Sequence, residues 1–130
     1  MAIFKKFEDI LVWQKARTQA DDIDTITKKK CFYDDSRLKN QMLGSSGSVM
    51  DNIAEGHGRG GNKEFIQYLW ISNGSDAELK SQLYRSLDKK FISESEFKNL
   101  YANADEIGRM INGLIKAIKN SGRRGTKYDN

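Results

Sequence analysis

The sequence predicts an all-α protein, an antiparallel up-down-up-down four-helix bundle, and three observations carry that prediction. Apolar residues recur at steps of three and four in four separate stretches, the spacing that gathers them on one helix face. None of the 130 residues is proline, for which long helices with short connections have little use. Ser93-Glu94-Ser95-Glu96 is a capping box, in which Ser93 and Glu96 each satisfy one otherwise unpaired backbone donor at a helix start. A chain of this length forms one domain, burying roughly two-thirds of its unfolded surface.

The first helix is expected from about Glu8 to Lys29, with Val12, Ala16, Ala20, Ile23 and Ile26 as its stripe and Trp13 beside them. Glu8 and Asp9 in the first turn and Lys28, Lys29 and Lys30 in the last suit the helix dipole. The second helix starts behind Asp34 or Asp35, both acceptable caps, and continues to about Glu55. Its seam is Leu38, Met42, Ser45, Val49, Asn52 and Gly56. Residues 44–48 are all glycine or serine, and each glycine costs a helix about 1 kcal/mol relative to alanine, so a loop is the rival reading there. The seam keeps its spacing through the stretch, and small side chains let a neighbouring helix approach closely. The helix reading is therefore retained.

The third helix is expected from an Asn62 cap to about Lys89, with Phe65, Leu69, Ser72, Asp76, Leu79, Leu83 and Leu87 inward. Asp76 breaks that line and should face a polar partner or the rim. A second line, Ile66, Trp70, Asn73 and Ala77, lies one position around. In the fourth helix Phe97, Leu100, Ala104, Ile107, Ile111, Leu114 and Ile118 alternate at three and four, a heptad seam. Residues 1–119 are thus expected to form the bundle, and residues 120–130, which lack periodicity, a basic flexible tail.

Between the second and third helices the sequence compresses a polar helix end, a reversal and a restart. Asn52-Ile53-Ala54-Glu55 is expected to stop at Gly56, a glycine-broken turn holds Arg59, and Asn62 opens the next helix. Phe7-Glu8-Asp9-Ile10-Leu11-Val12-Trp13-Gln14-Lys15-Ala16 precedes this motif. Lys63-Glu64-Phe65-Ile66-Gln67-Tyr68-Leu69, Gly74-Ser75 and Ala77-Glu78-Leu79 follow it. In that order and at those separations, over about residues 7–119, the motifs resemble the four-helix-bundle family of 23S ribosomal RNA intervening-sequence proteins. Two departures stand out: Met50 occupies a position where the family usually has proline, and Leu43 and Gly44 occupy positions where it often has basic residues. The resemblance implies an antiparallel protomer that assembles into a ring-like homo-oligomer, a pentamer. Relatives are encoded in insertions within ribosomal RNA genes, and a distant branch serves diversity-generating retroelements. It implies no established activity.

The net charge of +4 resides in residues 116–130, where Lys116, Lys119, Arg123, Arg124 and Lys127 oppose Asp129 alone. The remaining residues balance. Cations clustered at one chain end read either as solvated charge or as phosphate contacts. Five tails in a ring would pool about five times the charge and make binding steeply salt-dependent. With Arg59, these five are the candidate nucleic-acid-binding residues.

Asn52 and Glu55 share a helix face. As a structural motif with Gly56, Asn52 fixes register, while Glu55 caps donors at the start of the third helix or pairs with Arg59. The competing reading makes Glu55, His57 and Arg59 a ligand or RNA contact. The glycines around Arg59 lack the Walker pattern, since Lys63 lies inside the new helix and no strand precedes the loop. They read as a tight reversal. Tyr68, Tyr84 and Tyr101 fall within helical patterns and read as packing residues. Ile66, Trp70 and Ala77, with Phe4 and Phe7, exceed what one core needs and are expected to form an oligomer interface anchored by Trp70.

No acid–base pair, activated nucleophile or metal cluster is set by spacing, and a lone His57 and a lone Cys31 do not make a zinc site. Cys31 reads as a half-buried structural thiol in a reducing compartment. The N-terminus lacks a secretory signal, and no apolar run approaches the roughly 18 to 20 residues of a bilayer span. The expectation is a non-enzymatic cytoplasmic scaffold, homo-oligomeric, without cofactor, metal or small-molecule substrate. It would bind RNA or a nucleoprotein through pooled basic charge. The alternative is a protein–protein interaction module whose partner docks near Glu55 to Arg59.

Overall fold

The computed structural model describes residues 4–128, and all its regular structure is helical among those residues. Four long helices, α1 (Leu11–Ile26), α2 (Ser36–Gly58), α3 (Asn62–Asp88) and α4 (Glu94–Asn120), pack around a common core. Short 3-10 turns at Phe7–Asp9, Lys30–Asp35 and Thr126–Tyr128 complete the chain.

The helix boundaries refine the sequence reading at each end. α1 is shorter than the expected span of 8–29, because Ile10 is extended and separates the Phe7–Asp9 turn from the helix proper. At the other end Thr27 Oγ1 donates to Ile23 O at 2.7 Å, and Cys31, half-buried, reaches Phe91 O at 3.4 Å. α2 runs unbroken through residues 44–48, which excludes the loop, and passes Gly56 to end at Gly58. Asp35 caps it by accepting from Leu38 N at 3.0 Å. α3 is not capped by Asn62: Gly61 holds the cap position without a side-chain bond, and Asn62 is the first helical residue. The capping box at α4 is present in full, with Glu96 N donating to Ser93 Oγ at 3.1 Å and Ser93 N to Glu96 Oε1 at 2.8 Å.

The interior divides into two apolar clusters. One contains Val12 and Ala16 of α1, Val49 and Ile53 of α2, Phe65 and Leu69 of α3, and Ile107, Ile111, Ile115 and Ile118 of α4. The other contains Ile23, Leu38, Met42, Leu79 and Leu83, with Phe32, Phe91 and Ile92 from the connections. α1 and α3 therefore enter the first cluster with their N-terminal halves, and α2 and α4 with their C-terminal halves. Along α4 the buried position passes from Ile111 to Ile115, with Leu114 half-buried, because a straight helix at 3.6 residues per turn drifts from a strict heptad.

A polar layer separates the clusters. Gln19, Ser45, Ser46, Ser72, Ser75 and Asp76 are buried there, and the position expected of Ala20 on the α1 stripe is taken by Gln19. Asp76 is 1% exposed and faces a polar partner, receiving Gln19 Nε2 at 3.4 Å. Burial pushes its carboxyl up to about 6. A Cβ at Gly108 would lie 3.2 Å from Asp76 Oδ2, so α4 comes close to this carboxylate because that position is glycine. Ser72 Oγ donates to Val49 O at 2.7 Å and Ser75 Oγ to Ser48 Oγ at 2.9 Å, fastening α2 to α3 in the same layer.

Candidate functional site

The sequence motif at 52–65 lies at the end of the bundle where α2 turns into α3. Gly56 does not stop α2. It lets the two helices close on each other: a Cβ there would lie 2.7 Å from Tyr68 Cβ and 3.1 Å from Phe65 Cδ1. The reversal itself occurs at Gly60, whose φ of +76° favours glycine. Asn52, half-buried, donates through Nδ2 to Ser48 O at 2.8 Å and Ser48 Oγ at 2.9 Å. Since Ser48 Oγ also receives Ser75, the Asn52 amide is linked to α3 through that serine.

Glu55 does not reach the α3 start. It is exposed and pairs with Arg59 Nε at 3.5 Å. Arg59 also donates from Nη2 to the Tyr68 hydroxyl at 2.6 Å, and its guanidinium carbon lies 5.0 Å from that ring's centroid. Tyr68 thus orients Arg59 as well as packing. His57 turns the other way, its Nε2 2.8 Å from Phe4 O, which ties the N-terminal segment to α2. Phe7 stacks edge-on against Trp13 in the same segment.

Residues 121–128 of the expected flexible tail include hydrogen-bond partners of the bundle, and residues 129–130 lie outside the described residues. The segment folds back over the α2–α3 turn. Asn62 N donates to Arg124 O at 2.6 Å, Lys127 N to Gly60 O at 2.8 Å, and Asn62 Nδ2 to Arg123 O at 3.0 Å. The physical cause is mutual need: the first turn of α3 has no side-chain cap, and the Arg124 carbonyl accepts from one of its unpaired donors. Gly125 makes the approach possible, because a Cβ there would collide with Gly60 O and stand 2.6 Å from Gly61 Cα. Lys127 pairs with Glu64, which holds the Glu64 carboxyl below and the Lys127 ammonium above their ordinary ranges.

Docking gathers cations that the sequence separates. Arg124 lies 4.0 Å from the Tyr128 ring centroid, and Lys119 Nζ 6.0 Å from that of Trp70, so both sit over rings and keep their charge. Arg59, Lys63, Lys119, Arg123 and Arg124 are exposed around the turn and the adjoining end of α4, with Lys116 exposed one turn before Lys119. Arg59 and Lys127 have carboxylate partners, Glu55 and Glu64. The docked segment and its Tyr128 were missed by the sequence reading; no periodic signal marks a bond between backbone atoms some 62 residues apart.

Of the expected interface line, Trp70 is 49% exposed, Ala77 is exposed, and Ile66 is half-buried against the first cluster. Ile71, 46% exposed, adds to it and was not anticipated. Among the described residues no group of three or more His, Cys, Asp or Glu is placed to hold a metal ion. No helix among them is long and apolar enough to cross a membrane.

Fold and site together define an all-α helical bundle with a braced interhelical turn and cations gathered around it. The chain belongs to the family of 23S rRNA-intervening sequence proteins, whose sequence model matches residues 8–113. Its structure is similar to the crystal structure of a protein of unknown function from the S23 ribosomal protein family of Bacteroides thetaiotaomicron. The two share 21% sequence identity, with a TM-score of 0.74 over 82% of this chain and 99% of that one. At this identity the likeness establishes the fold. No curated protein matches the chain.

Proposed function

We propose that the protein is a non-enzymatic cytoplasmic scaffold, an antiparallel up-down-up-down bundle that self-associates and binds RNA at its α2–α3 turn end. The observation that carries the RNA reading is the docking of residues 122–128 on Gly60 and Asn62, which brings the Arg124 backbone to Asn62, a residue that lies between Arg59 and Lys63 in sequence. Mobile cations lose side-chain and backbone freedom on binding phosphate, whereas a held segment has already lost much of it. The alternation of the helix halves between the two apolar clusters supports the antiparallel arrangement. The exposed Trp70 beside Ile66 and Ala77 supports self-association, and the pentameric ring implied by the family resemblance would pool five basic ends. The family's name, which refers to 23S rRNA, agrees with an RNA partner.

The test is the salt dependence of binding to a single-stranded RNA, comparing wild type with Lys119→Ala/Arg124→Ala. Each lost phosphate contact should flatten the slope of log K against log salt by about 0.7. Parallel slopes for the two proteins would reject these residues as the RNA contact. Trp70→Glu should shift light scattering from oligomer to monomer at micromolar concentration, and a wild type that is itself monomeric would end the ring reading. A second reading, a protein-docking module, is favoured by the fixed pose of Arg59 against Tyr68. It has no nucleic-acid role and predicts that Arg59→Ala keeps the assembly but loses a protein partner.

A further inference from the structure

α3 carries a second line of residues on the face opposite the one it buries in the core. Trp70, Gly74, Ala77, Ser81 and Tyr84 follow one another at steps of four, three, four and three, and all are exposed. The same steps reach Gln67 and Lys63 toward the helix start and Asp88 at its end, exposed as well. This is the spacing of a seam between helices, although it faces outward. Its two rings, Trp70 and Tyr84, are each 49% exposed. A Cβ at Gly74 would have no neighbour within 4 Å. Glycine weakens a helix relative to alanine, and no contact inside the chain requires it at this position. A second helix approaching from outside would.

The order of residues along the line identifies the helix that fits. The positions are symmetric about the point between Gly74 and Ala77, so a second α3 laid antiparallel sets Gly74 against Ala77 and Trp70 against Ser81. The smallest side chains then meet where the helices come closest, and the large indole faces a small hydroxyl side chain. At the two ends Lys63 meets Asp88 of the second copy. Among the described residues neither has an ion-pair partner within its own chain. A parallel pairing would set Lys63 against Lys63 and Trp70 against Trp70. Charge and side-chain size both select the antiparallel arrangement.

We propose that two copies of this chain associate through α3, antiparallel about a two-fold axis, with Gly74 and Ala77 at the crossing and a Lys63–Asp88 ion pair at each end. The inference rests on the self-association reading and specifies the contact that the exposed Trp70 makes. A two-fold contact closes at two copies, so it adds to a ring contact rather than building one.

Lys63→Cys and Asp88→Cys test the geometry, because positions 63 and 88 lie about 37 Å apart along one helix at 1.5 Å per residue. A disulfide needs Cα atoms within about 7 Å of each other. Mixing the two full-length variants under mild oxidation should yield a disulfide from position 63 of one copy to position 88 of the other, located by peptide mass mapping. Neither variant alone should cross-link at its new thiol. Asp88→Lys, which sets like charges at both ends, should weaken self-association about tenfold by sedimentation, and Lys63→Asp/Asp88→Lys should restore it. Both exchanges place the sign that the helix dipole prefers, so the fold is kept. A wild type that sediments as a monomer would end the self-association reading and this contact with it. A wild-type oligomer whose mixed variants do not join position 63 to position 88 would overturn this contact alone. Lys63→Cys cross-linking to itself, or unchanged self-association in Asp88→Lys, would overturn it too.

Discussion

At one end of the bundle α3 turns into α4 with parts that are close in sequence. Lys90 takes φ +63°, Phe91 N donates to Ser86 O at 3.0 Å and Lys90 N to Leu87 O at 2.9 Å, and the Ser93–Glu96 capping box starts α4. At the other end α2 turns into α3 with parts that are distant. Gly56 admits Tyr68, and the backbone around Arg124 supplies the acceptor that the α3 start lacks. The charges differ in degree. Lys28, Lys29 and Lys89 at the first end pair with Asp24, Glu96 and Asp35, whereas at the second Arg59 and Lys127 pair with Glu55 and Glu64 while Lys119 and Arg124 sit over aromatic rings. A self-contained reversal is finished once it is folded; a reversal braced by the chain end also fixes a surface, and here that surface is basic.

Breaking the braced end should have the larger effect. Gly56→Ala places a methyl group against Tyr68 Cβ, an atom fixed to the α3 backbone, so the helices must separate. A loss of about 1 to 3 kcal/mol is expected by urea denaturation, the usual range for overpacking a close contact. A change below about 0.5 kcal/mol, the scale of an ordinary surface substitution, would show that α2 and α3 adjust freely.

The polar layer between the ends supplies the next prediction. Folding raises the Asp76 carboxyl from 3.8 to about 6. Between those values the folded protein binds more protons than the unfolded chain, so stability falls as pH rises through this window and stays lower above it. Asp76→Asn should remove that pH dependence and raise stability at pH 8 by about 1 to 2 kcal/mol, less than the full shift implies because the buried asparagine amide must itself find partners. A variant less stable than wild type at pH 8 would mean that the charged form is held by more than Gln19.

The self-contained end should respond least. Lys90 holds a left-handed conformation that glycine adopts without strain. Lys90→Gly is expected to stabilise by up to about 1 kcal/mol, read as a small rise in thermal midpoint.

Legibility in the sequence follows the same division. The capping box, the all-α class, the family and the α4 stripe were all visible, because each is a pattern within one turn or one helix. Gly56 was visible but misread as a terminator, since sequence alone does not distinguish a glycine that ends a helix from one that admits a neighbour. Asn62 looked like a cap because its residue type suits one, yet its side chain is turned to Arg123 O. The docked segment was invisible, as its main bonds join backbone atoms and leave no side-chain code. Gln19 was hidden by Ala20, the apolar residue next to it.

The most direct measurement exploits Gly125, because Gly125→Ala keeps every cation but collides with the backbone of Gly60 and Gly61. Amide exchange at Asn62 and affinity for a single-stranded RNA should be followed in the same samples. The account predicts faster exchange at Asn62 together with weaker RNA binding at unchanged net charge. Faster exchange with undiminished affinity would contradict it, as would a wild type that does not bind RNA.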